Sequence, residues 1–267
     1  MVRPNTGSRR RFLRLTGTAA VVGIGGCVGG NGNGEDGDDE EENGDGTGNG
    51  EDDETENGEA EEELPEGVSE EEFVSGPVPE VYRTATSLGG EERGENLQTK
   101  ERVRFAEYDD AQEDAAHQSG RCCANCADYI PDRNGDGFGA CAEVEGYVGG
   151  EDWCSIWEEL PEPEVPEGLT EDEIATAEVP EEYRTATSQG NEERDPDDLR
   201  TQEEVALRES VEAIAGGTSP PGRSCGNCAD FIADKNGDGW GACAEVEGYI
   251  AVEDWCAVWE RLGEHEE

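Results

Sequence analysis

Residues 123–160 read CANCADYIPDRNGDGFGACAEVEGYVGGEDWCSIWEEL, and residues 225–262 read CGNCADFIADKNGDGWGACAEVEGYIAVEDWCAVWERL. The two stretches agree at 27 of 38 positions without a gap. Cys123, Cys126, Cys141 and Cys154 in the first copy are spaced as Cys225, Cys228, Cys243 and Cys256 in the second. Neither stretch has the aliphatic residues for a core of its own, and units this small need disulfides or a metal as a staple. Four thiolates per copy suit a 4Fe–4S cluster, a Zn²⁺ site or two disulfides. A C-x2-C pair is natural for a cluster or zinc, and strained if its two cysteines bond each other.

The aromatic residues favour the cluster. All five tryptophans lie between a copy's first cysteine and three residues past its last. Trp153 and Trp157 flank Cys154, Trp255 and Trp259 flank Cys256, and Phe138 and Trp240 take matching places before the third cysteine. Zinc ribbons do not need so many aromatic walls. An iron–sulfur cluster working at high potential does, because excluding water disfavours its more negative state.

Cys123-Ala-Asn-Cys126, Gly139-Ala-Cys141 and Trp153-Cys154-x2-Trp157 resemble the signature of the high-potential iron–sulfur proteins. Cys225-Gly-Asn-Cys228, Gly241-Ala-Cys243 and Trp255-Cys256-x2-Trp259 resemble it equally. The resemblance implies a small irregular metal-cluster fold, mostly turns, with short helices and minimal antiparallel strand, in two tandem copies. It implies a 4Fe–4S cluster in each copy, ligated by that copy's four cysteines and working in the 2−/1− couple as a one-electron carrier. Phe138, Trp153 and Trp157, with Trp240, Trp255 and Trp259, would form the dry shells. The family's buried upstream tyrosine would be Tyr82 and Tyr183. Asp152 and Asp254 stand where the family usually has Gly before Trp-Cys.

A second metal pattern overlaps the first. Asp132-x-Asn134-x-Asp136-Gly137-x5-Glu143 and Asp234-x-Asn236-x-Asp238-Gly239-x5-Glu245 fit the calcium-loop template. Their setting argues otherwise: Pro131 precedes the first loop, cysteine takes the tenth position of both, and glycines follow instead of a helix. An acidic turn joining the second and third cysteines is the simpler reading, with bound Ca²⁺ the lesser one. The alternative to a carrier is a cell-surface structural or binding module, stapled by disulfides or zinc and binding calcium at these loops.

Outward from the cysteines the repeat continues. Pro65-Glu-Gly-Val68 recurs as Pro166-Glu-Gly-Leu169, and Tyr82–Ser87 recurs as Tyr183–Ser188. Ser69–Glu72 and Thr170–Glu173 predict capping boxes that open helices. The spacing predicts further, more polar helices around 99–116 and 201–215. Domains are expected at 65–162 and 163–267, behind an acidic tether at 27–64 and a leader at 1–26.

The leader is the only cationic part of the chain. It holds five arginines and no acid, in a protein with 69 Asp+Glu against 19 Lys+Arg and a net charge of −50. Ser8-Arg9-Arg10-Arg11-Phe12-Leu13-Arg14 resembles a twin-arginine export signal, and Ile24-Gly25-Gly26-Cys27 resembles a lipobox with Cys27 as the lipidation site. Cleavage there leaves −55. From Val28 to about Leu64 the chain is Gly, Asn, Asp and Glu, a composition that cannot offset its ordering entropy. The expected location is the outer face of the cell membrane, reached by the twin-arginine route and held by a lipid anchor.

Hydrophobic residues make up 32% of the chain, against roughly 45–50% in ordinary globular proteins. That leaves no large core for a usual enzyme. The charge repels nucleic-acid backbones and suits concentrated salt, as in a halophilic archaeon. His117 and His265 are isolated, and no nucleophile–base pair or phosphate-binding glycine loop stands out, so the chain reads as a non-enzyme. Its expected partners are redox proteins: a membrane electron donor and acceptor.

Overall fold

A computed structural model describes residues 64–262. The leader, most of the tether, Cys27 and His265 lie outside the described residues. The elements are short and separated by turns, as a sequence with 38 glycines and little aliphatic content dictates. In the first copy they are α1 (Glu70–Ser75), α2 (Glu80–Arg83), α3 (Tyr108–Ala111), a 3-10 turn at Cys123–Asn125, β1 (Tyr129–Ile130) and β2 (Ala140–Cys141). The second copy has a 3-10 turn at Glu171–Glu173, α4 (Glu181–Arg184), β3 (Arg208–Glu209) and α5 (Ser210–Ala215). It continues with a 3-10 turn at Cys225–Asn227, β4 (Phe231–Ile232), β5 (Ala242–Cys243) and β6 (Asp254–Trp255).

Both predicted capping boxes form. Ser69 accepts the Glu72 N–H while the Glu72 carboxylate accepts the Ser69 N–H, and Thr170 and Glu173 make the same exchange. The first opens α1 and the second only a 3-10 turn. The long helices expected at 99–116 and 201–215 do not form; only α3 and α5 are helical there. Arg104 and Ala206 break the run with φ of 51° and 53°, a left-handed conformation that ends a helix. The chain then turns back, so that Ala106 pairs with Trp153 and Arg208 with Trp255.

Each copy is built around an antiparallel hairpin of two-residue strands. β1 pairs with β2 through Tyr129↔Cys141 and Ile130↔Ala140, and β4 with β5 through Phe231↔Cys243 and Ile232↔Ala242. Alternate side chains leave opposite faces of such a hairpin. Tyr129 and Cys141 join one apolar cluster with Cys123, Cys126, Cys154, Val103, Val144 and Val148. Ile130 and Ala140 join another with Val78, Tyr82, Phe138 and Tyr147. The second copy divides in the same way. The upstream arm therefore closes the outer face of the hairpin, while the cysteines converge on the inner one.

The two copies pack directly on each other. The Cys123–Asn125 and Cys225–Asn227 turns meet with Cα atoms within 8 Å. Ser224 Oγ donates to the Ala124 carbonyl at 2.7 Å, Asn125 Nδ2 to Ser210 Oγ at 3.1 Å, and the Gly222 N–H to Cys122 Sγ at 3.4 Å. Gly120, at φ +92°, lies so close to the Val211 carbonyl that a Cβ has no room. Cys122, which has no cysteine counterpart in the second copy, is thus a buried residue of this junction.

Candidate metal centre

Local sequence sets the cysteine positions. The C-x-N-C segment makes a 3-10 turn because the asparagine side chain reaches back. Asn125 Oδ1 accepts the Cys122 N–H at 3.0 Å, and Asn227 Oδ1 accepts the Ser224 N–H at 2.9 Å. The fourth cysteine approaches through a turn held by the aspartate two residues before it. Asp152 Oδ2 accepts the Gly149 N–H at 2.6 Å and its carbonyl accepts the Cys123 N–H at 2.6 Å; Asp254 Oδ2 accepts the Ala251 N–H at 2.9 Å.

In each copy the four thiols line one cavity. The first is closed by Phe105, Tyr129, Val144, Val148 and Asp128 and holds about 280 Å³ of atom-free space, its mouth included. The second is closed by Leu207, Phe231, Val246, Ile250, Val258 and Asp230 and holds about 290 Å³. All eight cysteines are buried free thiols; among the described residues no disulfide joins them. Burial pushes the thiols up, Cys141 and Cys228 to about 12 and Cys154 and Cys256 to about 11, with Cys123 and Cys225 well above their ordinary value. Such groups are neutral and unreactive alone, and only a metal makes thiolates of them. Asp128, in the cavity wall, is pushed up to about 6 by burial and then by neighbouring Glu158, Glu143 and Glu91.

Fit to a particular group can be tested on this geometry. Among the described residues no three His, Cys, Asp or Glu side chains are placed to hold a single ion such as zinc. A 4Fe–4S cluster needs four thiolates around a larger body, in a dry cage with N–H groups aimed at sulfur. The Glu143 and Glu158 N–H groups reach Cys141 Sγ and Cys126 Sγ at 3.4 and 3.5 Å, and the Glu245 N–H reaches Cys243 Sγ at 3.5 Å. The residues fit the cluster.

The calcium-like loops are turned on themselves. Asp132 accepts the N–H groups of Asn134, Gly135 and Gly137, and Asp136 that of Phe138, all at 2.8–2.9 Å. Asp234 and Asp238 repeat the pattern. These carboxylates hold the turn between β1 and β2, and between β4 and β5, which is the simpler role expected of them.

The aromatic residues named from the sequence divide into three groups. Trp157 and Trp259 pack against the cysteine clusters, and their indole N–H groups clamp the ligand turns by donating to the Cys122 and Ser224 carbonyls at 3.0 and 2.8 Å. Trp153 and Trp255 are buried beside Cys154 and Cys256, Trp153 edge-on to His117. Tyr82 and Phe138, like Tyr183 and Trp240, stand in the outer cluster, away from the cavity. The Tyr82 hydroxyl lies 2.7 Å from Asn134 Oδ1 and 2.8 Å from the Phe138 carbonyl, and accepts the Arg133 N–H at 3.0 Å. The Asp-Asn loop is a ready polar partner at that distance, so the upstream tyrosine secures the loop instead of walling the cavity.

Sequence reasoning missed the rest of the wall. Tyr129 and Phe231 lie three residues past the second cysteine of each copy, a regularity visible in the repeat. Phe105 and Leu207 lie upstream of it, where nothing marks them. Arg93 and Arg194, both largely buried, donate to the carbonyls of Cys141 and Cys243, and burial pushes both guanidinium groups down.

Comparison with protein-family models matches residues 104–161 and 206–263 to "High potential iron-sulfur protein". No curated protein and no solved structure matches the chain.

Proposed function

The chain belongs, through residues 104–161 and 206–263, to the high-potential iron–sulfur protein family of electron carriers, and from that premise we propose an extracytoplasmic one-electron carrier with two 4Fe–4S clusters. The observation that carries the proposal is the pair of largely apolar cavities, each walled by four free thiols. Cys123, Cys126, Cys141 and Cys154 would hold one cluster, and Cys225, Cys228, Cys243 and Cys256 the other. The cluster, when bound, supplies a one-electron couple between its 2− and 1− states.

The chain's own residues prepare for that couple. Val103, Val144 and Val148, with Tyr129, keep water from the first cavity, and Val205, Val246 and Ile250, with Phe231, from the second. The N–H groups aimed at sulfur offset negative charge there. The turn clamps of Trp157 and Trp259 hold the ligand frame fixed, so little rearrangement accompanies a change of charge.

The leader supports export by the twin-arginine route, and Cys27 a lipid anchor on the outer face of the membrane. There the acidic tether would let the folded part reach membrane-bound redox donors and acceptors. The composition supports a halophilic source.

Iron and acid-labile sulfide analysis of salt-purified protein tests the core of this reading. About eight iron atoms per chain are expected from two such clusters, with a signal in electron paramagnetic resonance when oxidised and none when reduced. A colourless, iron-free chain, or a signal arising only on strong reduction, would overturn it. A Cys27→Ser variant released from the membrane into the medium would support the anchor, and one that stays on the membrane would sink it.

A further inference from the structure

The surroundings of the two cysteine sites differ in one buried charge. Lys100 and Gln202 occupy the same place in the two copies, each between an aligned Thr (Thr99, Thr201) and an aligned Val (Val103, Val205). Both donate to the same carbonyl of the repeat, Lys100 Nζ to Tyr147 at 2.5 Å and Gln202 Nε2 to Tyr249 at 2.9 Å. Lys100 is only 9% exposed, and its ammonium lies 4.4 Å from the centre of the Phe105 ring and 4.8 Å from that of Phe73. Phe105 lines the first cysteine cavity, so the cation packs on a ring of that cavity's wall. In the second copy a neutral amide stands at that position and Leu207 is in the wall.

Most other charges near the sites cancel in the comparison. Arg93 and Arg194 make the same bond to the third cysteine, and Asp128, Asp152, Glu143 and Glu158 recur as Asp230, Asp254, Glu245 and Glu260. Three differences favour the second copy, Arg200 for Gln98, Arg208 for Ala106 and Arg261 for Glu159, and two favour the first, Arg102 for Glu204 and Arg104 for Ala206. Arg200, with Glu245 3.5 Å away, and Arg261 are exposed, while Arg208 is half-buried and donates to the Ala206 carbonyl at 3.2 Å. In molar salt the screening length falls to about 3 Å, which removes such surface charges but not a buried one.

We propose that Lys100 makes the first-copy site the more oxidising of the two, so that an electron entering the protein settles on the first copy. The reason is electrostatic: adding an electron adds negative charge, and a buried cation packed on the cavity wall favours that state. Each site takes one electron from a small-molecule mediator such as ferrocyanide; no bond breaks and no proton moves. The assignment rests on the iron–sulfur reading above.

Potentiometric titration of the loaded chain in molar salt, followed by the paramagnetic signal, provides the test. Two midpoints are expected. Lys100→Gln should lower the higher midpoint and close the gap, Lys100→Arg should largely keep it, and Gln202→Lys should raise the lower one. The Gln202 variant stands independently should Lys100→Gln fail to fold. A fully loaded chain whose midpoints coincide, or whose lower midpoint alone moves in Lys100→Gln, overturns this assignment and leaves the carrier reading intact. A chain that takes up no iron overturns both.

Discussion

Asn125 and Asn227 do as much for the cysteine frame as the cysteines' own spacing. Each accepts the N–H that opens its ligand turn and also faces an indole N–H, Asn125 that of Trp157 at 3.1 Å and Asn227 that of Trp259 at 3.3 Å. Asn125 further donates to the Gly120 carbonyl at 2.9 Å and to Ser210 across the junction. Removing a buried partner of this kind costs about 1–3 kcal/mol for each group left unsatisfied. Asn125→Ala is therefore expected to destabilise the chain more than Asn227→Ala, which lacks the cross-copy bond; denaturant unfolding of both variants checks the order. The ligands themselves give a different signature. Cys154→Ser should halve the iron content and leave the second copy loaded, as iron analysis would show. The cysteines were legible because their spacing repeats without error. The asparagines were not, because a polar residue between two cysteines reads as filler until its side chain is seen to turn inward.

At the level of elements, the sequence read well where a local hydrogen bond decides the structure and poorly where the cavity does. The capping boxes at Ser69 and Thr170 formed because both partners lie within one turn. The helices expected at 99–116 and 201–215 failed because Arg104 and Ala206 must turn the chain so that Val103 and Phe105, and Val205 and Leu207, face the cysteines. No helical period carries that demand. The acidic loop before β2 depends on Tyr82, whose hydroxyl serves as partner to both the loop and the Phe138 carbonyl; Tyr82→Phe should cost about 1–3 kcal/mol. In the second copy, burial raises the Asp234 carboxyl, but the N–H groups of Gly239, Gly237 and Asn236 and the Tyr183 hydroxyl together bring it below its ordinary value. An acid held low stabilises the fold above its unfolded value near about 3.9, and that contribution disappears as pH falls through the lower folded value. Asp234→Asn should therefore flatten stability against pH below about 4, as measured by thermal unfolding across that range.

The whole molecule is held by few apolar contacts and opposed by many like charges, and its two copies share what core there is. Leu88 packs against the first cysteine cluster and, across the junction, would stand 2.7 Å from a Cβ placed on Gly226; Val252, which packs against the second cluster, would stand 2.8 Å from it. The glycine lets two apolar walls meet through the ligand turn, and this places the copies in one compact unit. Against that junction works a formal charge of −50. Ion pairs do little to answer it: among the described residues the pairs are few and mostly exposed, such as Arg83–Glu80 and Arg184–Glu178, and exposed pairs contribute about 0–1 kcal/mol at most. Screening by solution ions is then the main relief from self-repulsion. The Debye length lengthens from about 3 Å at 1 M salt to about 10 Å at 0.1 M, comparable to the span of a turn. The thermal midpoint of the loaded chain is thus expected to fall as a neutral salt is diluted over that range. Because like charge acts between the copies as well as within them, Ser224→Ala, which removes the bond to Ala124, should steepen the fall. Calorimetry of both proteins across a salt series decides the matter: a midpoint independent of salt would show that the fold, not the solvent, carries the charge.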